Sequence, residues 1–474
     1  MLKNARLLGA VAMCTFVLAL NGCSGKPLPK ANRDTVVTIG SAATVKVFAF
    51  GDLNITFPTT VYMKLSAADP NALYNEPLAL VEAEYRRDLA ARTLEEGTTL
   101  VDYAWKAIGR DPDRYLICSD DRTTMTESDV NYGTGSGFVV SSDGAVVTCH
   151  HCVTGGPVAG YVNREILNGF ISVIQTRIGG APSEEVLAEV IQPIYFYLRD
   201  RVQTESVFKE ARVLLPQTPW ETNGYDALSK EDSDNELVSL FVPSSTELLK
   251  KWTWPCEVLV SGETWPGKDV AVLKIPVSNL LTVDVSEEEA PRPDSTVLCL
   301  GFPGKAVQEG SMTKGAQFKV ILHAGQVGQT LPTTSGYDAI HTDADINHGD
   351  SGGPAFNESG VVIGLSVSGQ EDAAGQNYLV PASVIQEKLI EAGVKPKSDQ
   401  LNEDWRKALL LMQSGRFAEA KSLLEKIRIV QDSDYAEGKR IALIDKYIKE
   451  SLPNKVNLFV ERAIADCEKK QKTR

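Results

Sequence analysis

Short apolar runs of strand length fill the middle of the chain, and turn-forming residues separate them. Two such runs, at 133–140 and 145–153, are joined through Asp143 and Gly144, a dipeptide that favours a tight hairpin turn. Similar runs occupy residues 36–50, 115–118, 258–260, 269–275, 296–300 and 361–365. Because runs of this length recur between turn signals, the pattern predicts a mainly β domain.

Apolar residues at helical spacing flank and interrupt this β region. They occur at 71–108 and again in a long segment at about 160–250, where helices are predicted at 184–197 and 204–214. After Pro381 the spacing is helical throughout, which predicts helices at 382–392, 404–413, 417–427 and 435–451. We therefore expect helical insertions in the β domain and an all-α C-terminal segment.

The C-terminal helices include a pair joined by the small residues of 414–420. Small residues in such a connection permit close antiparallel packing, and the pair resembles a tetratricopeptide-type hairpin. Fewer than two full repeats are visible, so two interpretations stay open. The hairpin is either a helical cap that docks on the rest of the chain or a surface for a protein partner.

The first 22 residues have the character of a targeting segment. Two basic residues precede an apolar stretch at 7–20, which is too short for a comfortable membrane span. The segment ends in Leu-Asn-Gly-Cys and so resembles a bacterial lipobox, which implies lipidation of Cys23 and anchoring to a membrane. The alternative is an ordinary secretory signal. Ser24 resembles the sorting preference for the outer membrane, facing the periplasm.

Composition narrows the partners that the chain can have. The formal net charge is −14, which argues against a nucleic-acid partner, because such proteins present a basic face. Eight cysteines are present, and six remain once Cys14 and Cys23 are set aside. An even number in an exported protein permits disulfides, but the sequence does not give their pairing.

The stretch Asn-His-Gly-Asp-Ser-Gly-Gly-Pro at 347–354 suggests a nucleophile. A serine flanked by glycines, here Ser351, is expected to be exposed on a tight turn, since glycine adopts the required backbone angles freely. Such a turn points the N–H groups of Gly349 and Ser351 the same way. The pair could bind the oxyanion of a tetrahedral acyl intermediate.

A serine hydroxyl needs a base to remove its proton, and the base needs an acid to orient it. The chain has five histidines, and two of them, His150 and His151, lie together at the end of an apolar strand. Asp269 opens another apolar strand, where an unpaired acid would be costly. A base, an acid and a nucleophile therefore follow one another along the chain.

Four segments carrying these residues resemble the chymotrypsin-fold serine proteases, and within them the HtrA (Deg) branch of bacterial envelope proteases. The segments are GTGSGFVV, VVTCHHCV, DVAVLKI and TDADINHGDSGGPAF, and the resemblance covers about residues 131–396 apart from 160–250. It implies that His151 is the general base, Asp269 the orienting acid and Ser351 the nucleophile. Gly349 and Ser351 would supply the oxyanion donors, and His150 would be a structural neighbour.

The chain departs from this family in several places. HtrA proteins usually have asparagine where this chain has Asp350, and in digestive members an acid there pairs with a new amino terminus. No suitable start precedes His151, so Asp350 is expected to find another partner. The PDZ domain that usually follows is not expected, because only the helical segment comes after residue 396.

Cys149 and Cys152 flank the predicted base, and cysteine and histidine are both metal ligands. A metal site is conceivable, but the motif already assigns the histidine to catalysis, so we expect neither metal nor cofactor. In digestive relatives the cysteine after the base forms a disulfide with the preceding strand. The matching position here is Ser136, so that bond is excluded and Cys152 has another partner or stays a thiol.

Asp345 lies six residues before the nucleophile, where trypsin-like relatives carry the residue at the floor of the specificity pocket. An acid there would favour arginine or lysine before the cut bond. HtrA relatives usually carry a small apolar residue at this position and prefer aliphatic side chains. The alternative is that Asp345 faces solvent or joins a hydrogen-bond network, which avoids burying an unpaired carboxylate.

The sequence thus predicts a mainly β protein with a two-barrel chymotrypsin-like protease domain, helical insertions and a C-terminal all-α segment. The predicted divisions are a signal peptide at 1–22, a tether at 23–34, an N-terminal strand and helical elaboration at 35–130, a protease domain at 131–397 with an insertion at about 160–250, and helices at 398–474. The predicted function is hydrolysis of polypeptides in the bacterial envelope, in protein quality control. The alternative is an envelope chaperone or adaptor in which cleavage is secondary.

Overall fold

The computed structural model describes most of the chain between residues 27 and 473. The described residues are 27–66, 69–74, 79–95, 97–157, 162, 164–215, 250, 253–287, 291–302, 319–367, 377–396, 399–436 and 458–473. The predicted signal peptide and Cys23 lie outside these ranges, as does nearly all of the helix predicted at 435–451. No helix within the described ranges is long and apolar enough to cross a membrane.

The elements are numbered in chain order. The strands are β1 (Thr44–Pro58), β2 (Val61–Ser66), β3 (Asp69–Tyr74), β4 (Leu116–Cys118), β5 (Arg122–Ser141), β6 (Ala145–Thr148), β7 (Gly156–Pro157), β8 (Gln203–Leu214), β9 (Trp254–Ser261), β10 (Ala271–Lys274), β11 (Asp284–Val285), β12 (Thr296–Gly301), β13 (Ile321–Pro332), β14 (Asp338–Thr342), β15 (Pro354–Phe356), β16 (Val361–Val367) and β17 (Asn377–Pro381). The helices are α1 (Arg33–Ala43), α2 (Ala79–Ala90), α3 (Leu100–Arg110), α4 (Pro112–Tyr115), α5 (Arg164–Ile178), α6 (Glu184–Arg199), α7 (Ala382–Glu391), α8 (Gln400–Gln413), α9 (Phe417–Ala436) and α10 (Leu458–Lys472).

Two closed barrels form the centre of the fold. The first runs in the order β1-β5-β6-β10-β9-β8 and closes because β8 also pairs with β1, while β7 extends its edge. The second runs in the order β16-β15-β12-β13-β14-β17 and closes through β16 and β17, with β11 added beside β16. This architecture confirms the predicted two-barrel, chymotrypsin-like fold with helical additions.

The first barrel takes strands from segments that the sequence assigned elsewhere. The strand β1 belongs to the predicted N-terminal elaboration, and β5 crosses the predicted domain start at residue 131. The two strands pair antiparallel along most of their lengths, from Thr44 with Phe138 to Pro58 with Arg122. The barrel therefore depends on residues on both sides of that division.

The strand predicted at 36–50 is wrong in its first half, which forms α1. The side chain of Asn32 accepts a hydrogen bond from the backbone N–H of Thr35, and this cap satisfies a donor at the start of the helix. Val36 and Ile39 then face the core from one side of the helix. The loose alternation read from the sequence is also compatible with this one-sided burial.

The helix predicted at 204–214 is wrong, because these residues form β8. Burial alternates along its first residues, with Thr204 and Ser206 buried and Glu205 and Val207 exposed, which is the period of a strand. The strand pairs with β1 on one side and β9 on the other. The buried side chains are small and polar, so the alternation was missed when only apolar residues were counted.

The two helical segments before and after the start of the protease motifs share one buried apolar cluster. The predicted helix at 71–108 is α2 and α3, preceded by β3, and the prediction at 184–197 is confirmed by α6. Trp105 of α3 is fully buried in a cluster that includes residues from α5 and α6. These insertions therefore share one apolar core beside the barrels.

The C-terminal helices α8 to α10 extend the apolar core of the barrels. Trp405 of α8 is fully buried in the apolar core that the barrels share. The buried Asn402 accepts a hydrogen bond from the N–H of Thr282 at 2.7 Å and donates one to the carbonyl of Leu280 at 3.1 Å. The helix surfaces that make these contacts therefore act as a cap on the barrels, which was the first of the two interpretations of the hairpin.

Candidate active site

The predicted base and acid both lie at one end of the first barrel. His151 lies on a one-turn 3-10 helix, His150–Val153, that follows β6, and Asp269 lies two residues before the start of β10. Because β6 and β10 pair with each other, their ends bring these two side chains together. Ser351 lies in the loop before β15 of the second barrel.

The contact between His151 and Asp269 is bidentate. Nδ1 of His151 lies 2.7 Å from Oδ2 of Asp269, and the backbone N–H of His151 donates to Oδ1 at 3.0 Å. The aspartate is completely buried, whereas the histidine side chain is 34% exposed. This arrangement fixes the ring and leaves Nε2 available on its other side, which is the geometry that a general base requires.

The two neighbouring histidines have different surroundings. Nδ1 of His150 lies 2.7 Å from the hydroxyl of Ser261, and burial lowers the pKa of this histidine. Burial also lowers the pKa of His151, but a thiolate at Cys152, when that thiol is ionised, and the hydrogen-bonded Asp269 carboxylate outweigh burial and raise the pKa of His151. The structure thus brings His151, and not His150, into contact with Asp269.

Ser351 is buried, with only 4% of its surface exposed, so the prediction of an exposed serine is wrong. The loop that carries it lies against the first barrel, and the N–H of Ser136 donates to the Ser351 carbonyl at 2.8 Å. Gly352 has φ +89°, and a Cβ on it would lie 2.0 Å from the carbonyl oxygen of Ser136. A glycine is therefore required where the loop crosses the other barrel.

The backbone next to the predicted oxyanion donors is held by several hydrogen bonds. Gly349 has φ +97°, and its carbonyl accepts a hydrogen bond from the Ser136 hydroxyl at 2.6 Å. The N–H of Gly353 donates to the carbonyl of Asp350 at 2.9 Å, which orients the peptide plane that contains the Ser351 N–H. These bonds give the loop one defined shape before any substrate binds.

Ser136 holds this loop from the first barrel, a role that the sequence did not reveal. Its hydroxyl also accepts the N–H of Phe302 at 2.9 Å, and its own carbonyl accepts the hydroxyl of Thr148 at 2.6 Å. The only signal in the sequence was a serine where relatives carry cysteine. Gly349, one of the residues it contacts, lies 213 positions further along the chain, so a local sequence pattern could not reveal this contact.

We expect Ser136→Ala to lower kcat for peptide hydrolysis about 10- to 100-fold with little change in KM, because two hydrogen bonds of about 1 kcal/mol each would be lost. Steady-state kinetics on a fluorogenic peptide measure this split. Ser141→Ala is the matched control, since Ser141 is buried on the same strand but its hydroxyl donates to Asp143 at 2.6 Å. An equal loss in both variants would show general destabilisation instead of loop positioning.

Asp350 has the other partner that the sequence required. Its Oδ2 accepts the N–H of Asn347 at 2.9 Å and lies 3.2 Å from Nε2 of His323 on β13. Both side chains are largely buried. The Asp350 carboxylate raises the pKa of His323, although burial opposes this shift, and Asp345 adds a smaller effect in the same direction. The pair thus places beside the nucleophile's loop an imidazole that can take up a proton and balance the Asp350 carboxylate.

We expect the His323–Asp350 pair to make stability depend on pH. A raised pKa in the folded state means that the stabilisation is fully present below the unfolded value of about 6.5 and is lost as pH rises through the folded value. Urea unfolding at pH 5.5 and pH 9 should show a difference in the free energy of unfolding between wild type and His323→Gln. We expect it to be about 1–3 kcal/mol at the lower pH and smaller at the higher pH.

His341→Gln controls for that measurement, because His341 lies on the neighbouring strand β14 and packs edge-on against Tyr378. A difference for His323→Gln that stays constant from pH 5.5 to pH 9 would contradict an ion pair between His323 and Asp350.

Asp345, proposed from the sequence as part of a specificity pocket, has an exposed side chain. Its carbonyl accepts a hydrogen bond from the side-chain amide of Asn347 at 3.0 Å. An exposed carboxylate is well solvated, and its pairing with a substrate cation would be weak. The position therefore favours the alternative in which Asp345 faces solvent.

Cys149 and Cys152 are both free thiols, and both are buried beside His151. The Cys149 thiol donates to the carbonyl of Ser366 at 3.5 Å, and the Cys152 thiol donates to that of Ser351 at 3.6 Å. A hydrogen bond from Cys149, assisted by the charge of His151, lowers the pKa of Cys152, whereas burial raises that of Cys149. The contact between the Cys152 thiol and the Ser351 carbonyl places the loop of Ser351 beside the residue that directly follows His151.

Comparison with known proteins finds similarity to serine proteases. The sequence model of the trypsin-like peptidase domain matches residues 246–365, which include Asp269 and Ser351. A probable periplasmic DegP-like serine endoprotease of Pseudomonas putida is 40% identical over 103 residues, covering 22% of this chain and 20% of that protein. The serine protease HTRA1 of Xenopus laevis is 28% identical over 188 residues, covering 39% of this chain and 37% of that protein. The chain thus spans about a fifth to two fifths of the length of these relatives.

Among solved structures, the serine endoprotease of Yersinia pestis superposes with a TM-score of 0.34 at 12% identity, covering 77% of this chain and 68% of that one. The Rv3671c protease of M. tuberculosis in its active form gives 0.35 at 13% identity, covering 79% and 95%. These superpositions carry no part of the fold assignment, which depends on the two barrels of this structure and on the match to the trypsin-like peptidase model. Residues 246–365 therefore match a trypsin-like peptidase domain in sequence, and they lie within a chymotrypsin-like two-barrel fold.

Proposed function

We propose that this protein is a serine endopeptidase that hydrolyses peptide bonds through an acyl-enzyme. The observation that carries the proposal is the bidentate contact of His151 with the buried Asp269, beside the loop of Ser351. A buried carboxylate is costly unless it is paired, and pairing it with a partly exposed imidazole suits proton transfer. The chaperone alternative does not require this contact.

The proposed reaction assigns one step to each residue. The hydroxyl of Ser351 attacks the substrate carbonyl carbon while Nε2 of His151 accepts its proton, and Asp269 stabilises the imidazolium. The N–H groups of Gly349 and Ser351 donate to the oxyanion of the tetrahedral intermediate. The C–N bond then breaks, His151 returns the proton to the leaving amine, and a water molecule releases the acyl group by the same route.

The proposed substrates are unfolded or damaged proteins of the bacterial envelope. Support comes from the relatives, one of which is named a periplasmic serine endoprotease. The test compares one disulfide-bonded protein in its native form and in its reduced, alkylated form as substrate. We expect faster cleavage of the unfolded form, with no cleavage of either form by Ser351→Ala. Equal cleavage of both forms would contradict selection for unfolded chains.

We also propose that the protein is held at the membrane by lipid on Cys23. The prediction is that wild-type protein made in a Gram-negative host incorporates radioactive palmitate and fractionates with membranes. Cys23→Ser should lose both the label and the membrane fraction, because the acceptor thiol is gone. Cys118→Ser is the control, since Cys118 lies in the folded part of the chain. An unlabelled and soluble wild type would contradict the anchor.

A further inference from the structure

The motif Cys-His-His-Cys contains two thiols that the proposed reaction does not use. One ligand atom from each of Cys149, His151 and Cys152 lies within 4.8 Å of the others. Within the described ranges, these three residues are the only group of histidine, cysteine and acidic side chains that meets this spacing. The cluster therefore differs from an isolated buried cysteine.

The backbone directs both thiols toward the same side. The N–H of Cys152 donates to the carbonyl of Cys149 at 3.2 Å, so the 3-10 turn brings the two residues one above the other. Their present acceptors, the carbonyls of Ser366 and Ser351, lie 3.5 and 3.6 Å from sulfur. Thiols are weak donors, so a metal that replaces these protons would displace little existing stabilisation.

The spacing fits a small metal ion that prefers sulfur and nitrogen. Zinc holds sulfur at about 2.3 Å and histidine nitrogen at about 2.1 Å in a tetrahedron, which sets the ligand atoms about 3.5–3.8 Å apart. The observed upper limit of 4.8 Å exceeds this by about 1 Å, within reach of small side-chain rotations. Hard cations such as magnesium would not select two thiolates.

Asp269 completes the arrangement from outside the cluster. It holds Nδ1 of His151 at 2.7 Å, which leaves Nε2 as the nitrogen available to a metal. A carboxylate behind a ligating histidine is the usual outer partner in zinc sites, where it orients the ring. Since the His151 side chain is 34% exposed, a water molecule could occupy the fourth position.

We propose that Cys149, Cys152 and Nε2 of His151 form an inhibitory site for a thiophilic divalent metal of the Zn²⁺ class. Binding releases the two thiol protons and forms two metal–sulfur bonds and one metal–nitrogen bond. The metal occupies the lone pair of Nε2 that would accept the proton of Ser351, so hydrolysis stops while metal is bound. The inhibition rests on the proposed protease function, but metal binding itself does not.

The first test measures metal binding without any reference to activity. Full-length Ser351→Ala protein, reduced and freed of metal, is titrated with Co²⁺ and then with Zn²⁺. We expect one Co²⁺ per chain with a thiolate charge-transfer band in the near ultraviolet, and displacement of that band by Zn²⁺. The band should be lost in Cys149→Ser and Cys152→Ser, each made in the same background, and kept in Cys256→Ser, whose thiol lies on β9.

The second test measures the effect on the enzyme. Zn²⁺ in the micromolar range should inhibit wild-type peptide hydrolysis at least 10-fold, a chelator should restore it, and Cys149→Ser should be at least 10-fold less sensitive. A wild-type protein that is inactive without metal would refute the protease proposal. The Co²⁺ titration would still show whether the metal site exists, because it does not depend on activity.

Three results would overturn the metal site. They are the absence of a thiolate band in the reduced Ser351→Ala protein, a band that survives both cysteine substitutions, and a native protein in which Cys149 and Cys152 already form a disulfide. The first needs no cysteine variant, so misfolding of a variant cannot obscure the outcome.

Discussion

The change His151→Ala is expected to lower kcat/KM for peptide hydrolysis by about 10⁴- to 10⁶-fold, whereas His150→Ala should retain activity within about 10-fold of wild type. The reason is the difference in their contacts. Only His151 is held by both oxygens of Asp269, while His150 lies against the hydroxyl of Ser261. Initial rates with casein and with a fluorogenic peptide measure both effects.

The neighbouring histidine is the matched control for this comparison, because both residues share one 3-10 turn and both substitutions remove an imidazole. Circular dichroism and thermal unfolding should show that both variants stay folded. An inactive His150→Ala together with an active His151→Ala would mean that the base was assigned to the wrong residue.

The second large effect is expected for Asp269→Asn, which should lower kcat by about 10⁴-fold with a smaller change in KM. The asparagine keeps the size of the side chain but presents one amide NH₂ group in place of a carboxylate oxygen. It can no longer stabilise an imidazolium, and it disturbs the ring tautomer that His151 needs. Single-turnover kinetics on an ester and on a peptide substrate measure the loss at the acylation step.

Asp143→Asn provides the comparison for that variant. Asp143 lies in the hairpin between β5 and β6 and pairs with Lys274 at 3.0 Å, away from the base. Its replacement should leave kcat within about 2-fold, since a surface ion pair contributes little. Retention of more than a tenth of wild-type kcat in Asp269→Asn would contradict the role given to Asp269.

The site residues were predictable because their chemistry is written in short segments. The pattern of glycines around Ser351 and the paired histidines after an apolar strand are local signals. The contact between His151 and Asp269 then follows from the pairing of β6 with β10, and resemblance to a known family supplied the order. The exposure of Ser351 was misjudged because the opposite barrel, which covers its loop, does not appear in the local sequence.

The features that the sequence did not show depend on contacts between distant parts of the chain. The strand β8 was read as a helix because its buried positions include Thr204 and Ser206, and its pairing with β1 spans more than a hundred residues. Ser136 and His323 reach the active-site loop from separate strands. Hydrogen bonds and ion pairs of this kind leave no periodic pattern that could identify them.

The central claim is that Ser351 is an activated nucleophile, and covalent labelling tests it most directly. Reduced, metal-free protein is incubated with a fluorophosphonate, which reacts with serine only where a base has activated the hydroxyl. Peptide mass spectrometry should then find one phosphonate per chain, on Ser351, in wild type and in His150→Ala. Labelling should be absent or greatly slowed in His151→Ala. A folded wild-type protein that stays unlabelled, or that is labelled at another serine, would contradict the account.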